Sequence, residues 1–225
     1  MDDFESVLKL LLEAVKANEK KAVVQGNLSE IPVGISNRHL HLSQKDLECL
    51  FGKDYQLVKL KDLSQPGQYA CKEVVTLCGP KGAIEKVRIL GPLRSKTQVE
   101  VLAGDCVKLG AVSHIRLSGD LSRTPGVTLV GPKGSVQIEE GLVVAQRHIH
   151  MTPEDAKNLG VCDGDVVSIK VDDLRGGVYS NVAIRANDAS SLECHLDIEE
   201  ANAMGINSNY KNNNSKIRKL IKSYN

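Results

Sequence analysis

Two short stretches of the chain carry closely similar patterns of histidines. Four of the six histidines lie in Asn37-Arg38-His39-Leu40-His41-Leu42-Ser43 and Gln146-Arg147-His148-Ile149-His150-Met151-Thr152. In an extended strand, side chains two residues apart point to the same face, so each His-x-His pair directs two imidazoles to one place and turns the middle residue toward a core. Paired imidazoles are typical ligands of a divalent metal. A single copy also fits a surface strand with solvent-facing histidines, but the repetition favours metal binding.

A second part of the repeat supplies a third donor for each pair. When Gly110 is aligned with Gly205, Glu100 falls opposite His195. The sequence therefore predicts two donor sets on a duplicated module, which are His39, His41 and Glu100, and His148, His150 and His195. Three protein ligands with an open fourth position are typical of catalytic zinc, whereas structural zinc usually has four. If the two modules face each other, the two metals share one cleft and can hold both the attacking and the leaving group.

Arginines accompany both donor sets. Arg94 interrupts the repeat, since Ala189 takes its place in the second half. A guanidinium there would bind an oxyanion through two parallel hydrogen bonds, and a surface ion pair is the alternative. Arg38 and Arg147 precede the histidine pairs on the opposite face, so we expect structural ion pairs from them. His114 falls outside the repeat and is expected to be an ordinary strand residue.

The elements that hold these residues are predicted to be mainly β-strands. Short β-branched runs separated by turns extend from Ile31 to about Gly205. The tetrad Gly-Pro-Lys-Gly occurs at residues 79–82 and 131–134, which indicates tight turns between strands rather than phosphate loops.

A short helix is predicted after each histidine pair. Ser43 and Thr152 are each followed three residues later by an aspartate, which is typical of a helix N-cap, and glycines at 52 and 160 mark the helix ends. The repeated unit is therefore a strand with His-x-His, a cap and a short helix.

The two ends of the chain differ from this pattern. Residues 1–24 predict an amphipathic helix and residues 25–30 a polar linker. That helix either packs on its own domain or docks its apolar face on a partner. Residues 207–225 are rich in asparagine and then basic, which favours a flexible tether with a short basic helix.

The composition excludes several classes of protein. Lysine and arginine number 29 against 28 acidic residues, and aromatic residues make up 3%, so neither a nucleic acid nor a membrane is an expected partner. The six cysteines form no Cys-x-x-Cys pair, and no export signal begins the chain, so we expect free thiols in a reducing cytoplasm.

Several motifs resemble the PduL-type phosphate propanoyltransferases of bacterial microcompartments. The resemblance covers about residues 31–206 and is carried by Ile31 to Leu42, by the second His-x-His, and by Ser118-Gly119-Asp120 followed by Thr124-Pro125-Gly126. It implies a reversible transfer of a short acyl group, propanoyl or acetyl, between coenzyme A and inorganic phosphate at a two-zinc site, by direct attack of phosphate.

The resemblance also assigns roles to the candidate residues. His39, His41 and Glu100 would hold a zinc ion that also meets the coenzyme A sulfur, and His148, His150 and His195 would hold the second. Arg94 matches the essential arginine of the family and is expected to bind substrate and act in catalysis. Histidine and glutamate also suit other first-row divalent ions, so zinc follows from the resemblance alone.

The fold implied by the resemblance is a pair of small β-barrels related by internal duplication, with short capping helices and an N-terminal amphipathic helix. The first barrel would comprise residues 38–140, and the second residues 31–37 together with 141–206. The resemblance makes residues 1–24 an encapsulation helix that docks on microcompartment shell or core proteins. We therefore expect a homodimer or higher homo-oligomer located in the cytoplasm, inside a microcompartment.

Two other functions fit the same donor residues. A dinuclear hydrolase would attack a phosphoester, amide or thioester with a metal-bound hydroxide. A non-catalytic scaffold protein stapled by metal would instead need closed coordination.

Overall fold

The computed structural model of the protein describes residues 31–206, 216, 217 and 219–222. The predicted N-terminal helix (1–24), the linker (25–30) and most of the 207–225 tail lie outside these residues. The described part of the chain is mainly β, as predicted, and its strands form a nine-stranded and a seven-stranded sheet.

The nine-stranded sheet is built mainly from the first part of the chain. In spatial order its strands are β7 (Ile115–Arg116), β10 (Leu142–Ala145), β6 (Gln98–Val101), β2 (His39–His41), β5 (Ala83–Gly91), β4 (Tyr69–Cys78), β8 (Val127–Val130) and β9 (Ser135–Ile138), while β3 (Lys59–Asp62) also pairs with β4.

The seven-stranded sheet is built mainly from the last part of the chain. In spatial order its strands are β15 (Lys216–Ile217), β1 (Ile31–Ser36), β14 (Glu193–Asp197), β11 (His148–Met151), β13 (Gly177–Ala186), β12 (Val166–Val171) and β16 (Lys219–Lys222).

Each sheet takes one strand from the other part of the chain. Strand β1 runs parallel to β14, with Gly34 opposite His195, and β10 runs parallel to β6, with Val143 opposite Glu100. Residues 141–206 are predicted to belong to the second barrel, whereas β10, which lies within this range, belongs to the nine-stranded sheet. The exchange of strands is thus reciprocal, and the division of the chain into two domains stays a prediction.

The residue between the two histidines of each pair anchors its strand in a core. Leu40 and Ile149 are both fully buried, in two separate hydrophobic clusters that each pack against one sheet. This confirms the predicted alternation of the side chains in these strands. Because the two apolar side chains fix the strand faces, the histidines on either side must point away from the cores.

In the described residues, four short helices each follow a strand. They are α1 (Gln44–Phe51), α2 (Ala103–Leu109), α3 (Pro153–Leu159) and α4 (Ile198–Ala203). The hydroxyls of Ser43 and Thr152 accept the backbone N–H three residues ahead, at 3.2 and 3.1 Å, so both predicted N-caps are confirmed. Glycines at 52 and 160, both with positive φ, are the C-caps of α1 and α3. None of the described helices has the length and apolar composition needed to cross a bilayer.

The two Gly-Pro-Lys-Gly tetrads form hairpin turns, as predicted. They connect β4 to β5 and β8 to β9, and in each the first glycine N–H donates to the last glycine carbonyl at 2.9 Å. A Cβ atom at Gly79 would lie 2.2 Å from the carbonyl oxygen of Leu109 at the end of α2, which explains the glycine there.

The prediction of a basic helix in the tail is wrong for the residues that the structure describes. Strand β15 pairs with β1, and β16 pairs with β12, both antiparallel. These two partners would otherwise be the edges of the seven-stranded sheet, and an open edge is a strong template for an additional strand. The backbone hydrogen bonds offered by the edges therefore override the local preference of the tail.

Candidate active site

A cavity of about 710 Å³ is lined by residues from both sheets. Every residue that the sequence predicted for the site lines it, namely His39, His41, Arg94, Glu100, His148, His150 and His195. The predicted convergence of the two histidine pairs in one place is thus what the fold produces.

The three histidines of the second set form a compact cluster. His148 and His195 lie directly opposite each other on β11 and β14, and the Nε2 atoms of His148 and His150 are 3.1 Å apart. One ring nitrogen from each of the three lies within 4.8 Å of the others. Four-coordinate zinc with bonds of 2.0–2.1 Å separates its ligand nitrogens by about 3.3 Å, so this donor set fits one metal ion.

The protonation of these imidazoles also suits metal binding. Burial lowers the pKa of His148 to about 4. Burial, followed by the neighbouring His148 and His195, lowers the pKa of His150 to about 3. Both rings are therefore neutral at physiological pH. The Nδ1 atom of His148 lies 2.8 Å from the Gln146 carbonyl oxygen and donates to it, which leaves Nε2 with the lone pair that a metal needs.

The first set is held together by a contact between an imidazole and a carboxylate. His39 Nε2 lies 3.4 Å from Glu100 Oε2, and the two residues are directly opposite on β2 and β6. His39 Nδ1 donates to the Asn37 carbonyl oxygen at 2.8 Å, as His148 does to its own backbone neighbour. The His41 ring centre is 5.9 Å from that of His39. Within the described residues, only the three-histidine group brings three potential ligand atoms within 4.8 Å, so the first set is the more open one.

Charge interactions distinguish the first set from the second. Burial alone would lower the pKa of His39, but the Glu100 carboxylate raises it above its ordinary value. Burial alone would raise the pKa of Glu100, but the charge and hydrogen bond of His39 hold it below its usual range. Burial, followed by the neighbouring Arg94 and His39, lowers the pKa of His41 to about 4. Glu100 is thus an anionic donor at any physiological pH.

The two sets occupy equivalent positions in their sheets. His39 lies opposite Glu100 on one side and Arg88 on the other, while His148 lies opposite His195 and Ala183. This register agrees with the alignment of the two halves of the sequence. Their origin by duplication stays an interpretation of that agreement.

Arg94 is fixed at the wall of the cavity. Its Nη1 donates to Ser118 Oγ at 2.9 Å, and Ser118 Oγ in turn donates to Glu100 Oε1 at 3.2 Å. Burial, and the like charge of Arg185, lower the pKa of Arg94, although a guanidinium remains charged. Arg94 forms no ion pair within 4.0 Å among the described residues, so its charge is available to an anionic ligand.

Arg185 is a functional candidate that the sequence analysis missed. It lies on β13 opposite His150 and lines the same cavity as Arg94, which lies in the loop between β5 and β6. The signal was present in the sequence, because Leu90 is its counterpart in the first half. Arg185 and Arg94 are therefore both arginines at positions where the two halves of the repeat differ.

Three further polar residues next to the ligands were also missed. Gln98 and Glu193 each hydrogen-bond a predicted metal donor, and Ser118 connects Arg94 to Glu100. Ser118 belongs to a motif that carried the resemblance, but the motif alone indicated no role for it.

The comparisons with known proteins agree with this site. The family model for phosphate propanoyltransferase matches residues 32–207. A phosphate propanoyltransferase of Rhodobacter capsulatus is 53% identical over 176 residues, which are 78% of this chain and 82% of that protein. Those of Sebaldella termitidis and Salmonella typhimurium are each 46% identical, and the matches cover 89% and 86% of this chain and 95% and 92% of those proteins. The chain belongs to the phosphate propanoyltransferase family.

All seven predicted site residues fall within the region matched by the phosphate propanoyltransferase model. The other residues of the two histidine motifs have structural roles, as expected. Arg38 Nε pairs with Asp105 at 2.7 Å, and Arg147 Nε pairs with Glu200 at 2.8 Å. His114 directly precedes β7 and does not line the cavity.

Proposed function

We propose that the protein transfers the acyl group of propanoyl-CoA or acetyl-CoA to inorganic phosphate, reversibly, and that two zinc ions bind in the cavity. The observation that carries the proposal is the convergence of two donor sets with Arg94 and Arg185 in one cavity of a chain from this family. The reaction gives acyl phosphate and coenzyme A.

The donor sets would each hold one metal ion. His148, His150 and His195 would hold one, and the remaining set of His39, His41 and Glu100 the other. Zinc bound by these donors would supply a Lewis acid for the carbonyl oxygen and a soft acceptor for the coenzyme A sulfur.

The arginines would bind and orient the phosphate. Arg94 lines the cavity from the loop between β5 and β6 and Arg185 lines it from β13, and two guanidiniums offset the charge of a phosphate dianion as it leaves water. Ser118 limits the movement of Arg94 through its 2.9 Å hydrogen bond. A phosphate held in this way is positioned for attack on a thioester bound beside it.

In the reaction, a phosphate oxygen forms a bond to the thioester carbonyl carbon and the carbon–sulfur bond then breaks. The electron pair leaves with the sulfur as coenzyme A thiolate. No protein nucleophile is needed, and the described residues that line the cavity include no cysteine. The buried thiols are poor nucleophiles as well, since burial raises the pKa of Cys71 to about 11.

The proposal extends to the cellular setting. Residues 1–24 would dock on shell or core proteins of a bacterial microcompartment, and the enzyme would act there as a homodimer or higher homo-oligomer. These assignments follow the resemblance and the amphipathic pattern of residues 1–24.

The activity test measures free-thiol release from propanoyl-CoA with and without phosphate, together with trapping of acyl phosphate by hydroxylamine. We expect thiol release only when phosphate is present, and loss of activity after removal of metal with a chelator. Release of thiol and free acid without phosphate would indicate a hydrolase and contradict the proposal.

A further inference from the structure

The third donor of each set has a polar neighbour at an equivalent position. Gln98 lies two residues before Glu100 on β6, and Glu193 lies two residues before His195 on β14. Gln98 is opposite the second histidine of its pair, and so is Glu193. Side chains two residues apart on a strand share a face, so each polar group lies beside its donor.

Both the nitrogen and the oxygen of the Gln98 side-chain amide form hydrogen bonds. Its Nε2 donates to Glu100 Oε1 at 2.6 Å and to Ser118 Oγ at 2.9 Å, while its Oε1 accepts the Gly119 backbone N–H at 2.8 Å. The side chain is almost completely buried. Its orientation is therefore fixed, with an N–H directed at the carboxylate.

Glu193 also forms several hydrogen bonds, but as an acceptor. Its Oε2 accepts from His195 Nε2 at 2.6 Å, from Ser64 Oγ at 2.5 Å and from Gln65 Nε2 at 3.3 Å. Strand β1 has Gly34 where it passes this carboxylate, and a Cβ atom there would lie 2.8 Å from Glu193 Cδ. Both the loop after β3 and the glycine of β1 thus accommodate this one side chain.

We propose that Gln98 and Glu193 are matched positioning residues, each of which orients the third metal donor of its set through a hydrogen bond of the polarity that this donor requires. A carboxylate donor needs an N–H beside it, and an imidazole donor needs an acceptor. The bond from His195 Nε2 to Glu193 leaves Nδ1 as the nitrogen with the lone pair. The inference rests on the proposed function, because it requires both sets to hold metal.

Partners that orient a metal ligand affect metal affinity by 10- to 100-fold. The experiment therefore titrates metal-free protein with Co²⁺, in the absence of substrates, and follows the visible absorption and the dissociation constant of each ion. Glu193→Ala should weaken the binding of one of the two ions by about 10- to 100-fold, and Gln98→Ala should weaken the binding of the other by a similar factor. Glu193→Gln should recover part of the loss, because its amide oxygen still accepts a hydrogen bond.

Two further variants sharpen the test. Gln98→Met keeps about the length of the side chain without the N–H, so it should lose as much affinity as Gln98→Ala. Glu85→Gln is the control, because Glu85 is exposed on β5 and its charge change is the same as in Glu193→Gln. It should leave both affinities unchanged.

A purely structural role would lower the thermal stability of the Glu193 and Gln98 variants while both metal affinities stay at the wild-type values, and this result would overturn the inference. Protonation of His195 at Nδ1 in the metal-loaded protein, seen by ¹⁵N NMR, would overturn it for Glu193. Wild-type protein that binds no metal would overturn both the inference and the metal site of the proposed function. Phosphate-independent thiol release with the affinity changes intact would instead overturn only the proposed transfer reaction.

Discussion

The two halves of the cavity share a scaffold and differ in their third metal donor. In each half a parallel and an antiparallel neighbour flank the same His-x-His strand. One half completes its set with a third imidazole, His195, whose Nε2 lies 2.6 Å from the Glu193 carboxylate, whereas the other half completes its set with the carboxylate of Glu100, which lies 3.4 Å from His39. A single change of donor at one strand position thus puts a carboxylate inside one donor set and beside the other.

The two arginines also lie at positions where the two halves differ. Arg94 has no cationic counterpart in the second half, and Arg185 has none in the first. The repeated framework therefore positions metal donors, while its exceptions supply the charges for an anionic substrate.

The largest effects should come from removing either histidine pair. His39→Ala with His41→Ala, and His148→Ala with His150→Ala, should each lower the metal content by one ion per chain and lower the turnover by orders of magnitude. Metal analysis and the thiol-release assay measure both effects. His114→Ala is the matched control and should retain both ions, and a double variant with normal metal content would refute the assignment of that half.

Removing the arginines should affect the substrate rather than the metal. Arg94→Ala should lower kcat/KM by about 100-fold or more, as for loss of one preorganised charged donor, with metal content unchanged. Arg185→Gln should mainly raise the KM for phosphate, by about 10-fold, and leave the KM for propanoyl-CoA unchanged, because one guanidinium remains. Steady-state kinetics with each substrate varied in turn measures this split.

Arg175→Gln serves as the control for both arginine variants, since Arg175 is exposed and lies outside the cavity. Wild-type phosphate kinetics in Arg185→Gln would show that only the first half of the cavity binds the anion.

Ser118→Ala tests the connection between Arg94 and Glu100. Loss of a hydrogen bond to a charged group costs about 1.5–3 kcal/mol at most, so we expect a decrease in kcat/KM of about 10-fold, with metal content intact. Thr128→Ala, which removes a hydroxyl that does not line the cavity, should have no effect on the kinetics. Equal kinetics in the two variants would mean that Arg94 is held by other contacts.

Deleting residues 207–225 should have the smallest effect on turnover and should act on one half only. The deletion uncovers the edges of β1 and β12, and β1 supports β14, which carries His195. We expect a Tm lower by several degrees and weaker metal binding by the three-histidine set, measured by calorimetry and Co²⁺ titration. An equal loss at both sets would show that the tail does not act through β1.

Much of the site could be predicted from the sequence because it is coded locally. Leu40 and Ile149 fix the faces of the histidine strands, and Ser43 and Thr152 fix the helix starts, through contacts within a few residues. The alignment of the two halves of the sequence then matched Glu100 with His195 without any structure.

What the sequence did not show depends on pairing over long distances. Strand β10 joins the nine-stranded sheet through β6, and the tail forms strands only because two sheet edges are available to it. Arg185 and Glu193 acquire their roles from neighbours on other strands. No local pattern specifies such partners, so only the folded chain identifies them.

The two-metal cavity is tested most directly by the EPR spectrum of the protein loaded with two Co²⁺ ions, measured alongside the two double histidine variants. We expect one ion in each variant, two in the wild-type protein, and a wild-type spectrum altered by magnetic coupling between neighbouring ions. A wild-type spectrum equal to the sum of those of the two variants, or one ion at full occupancy, would contradict a shared cavity with two metals.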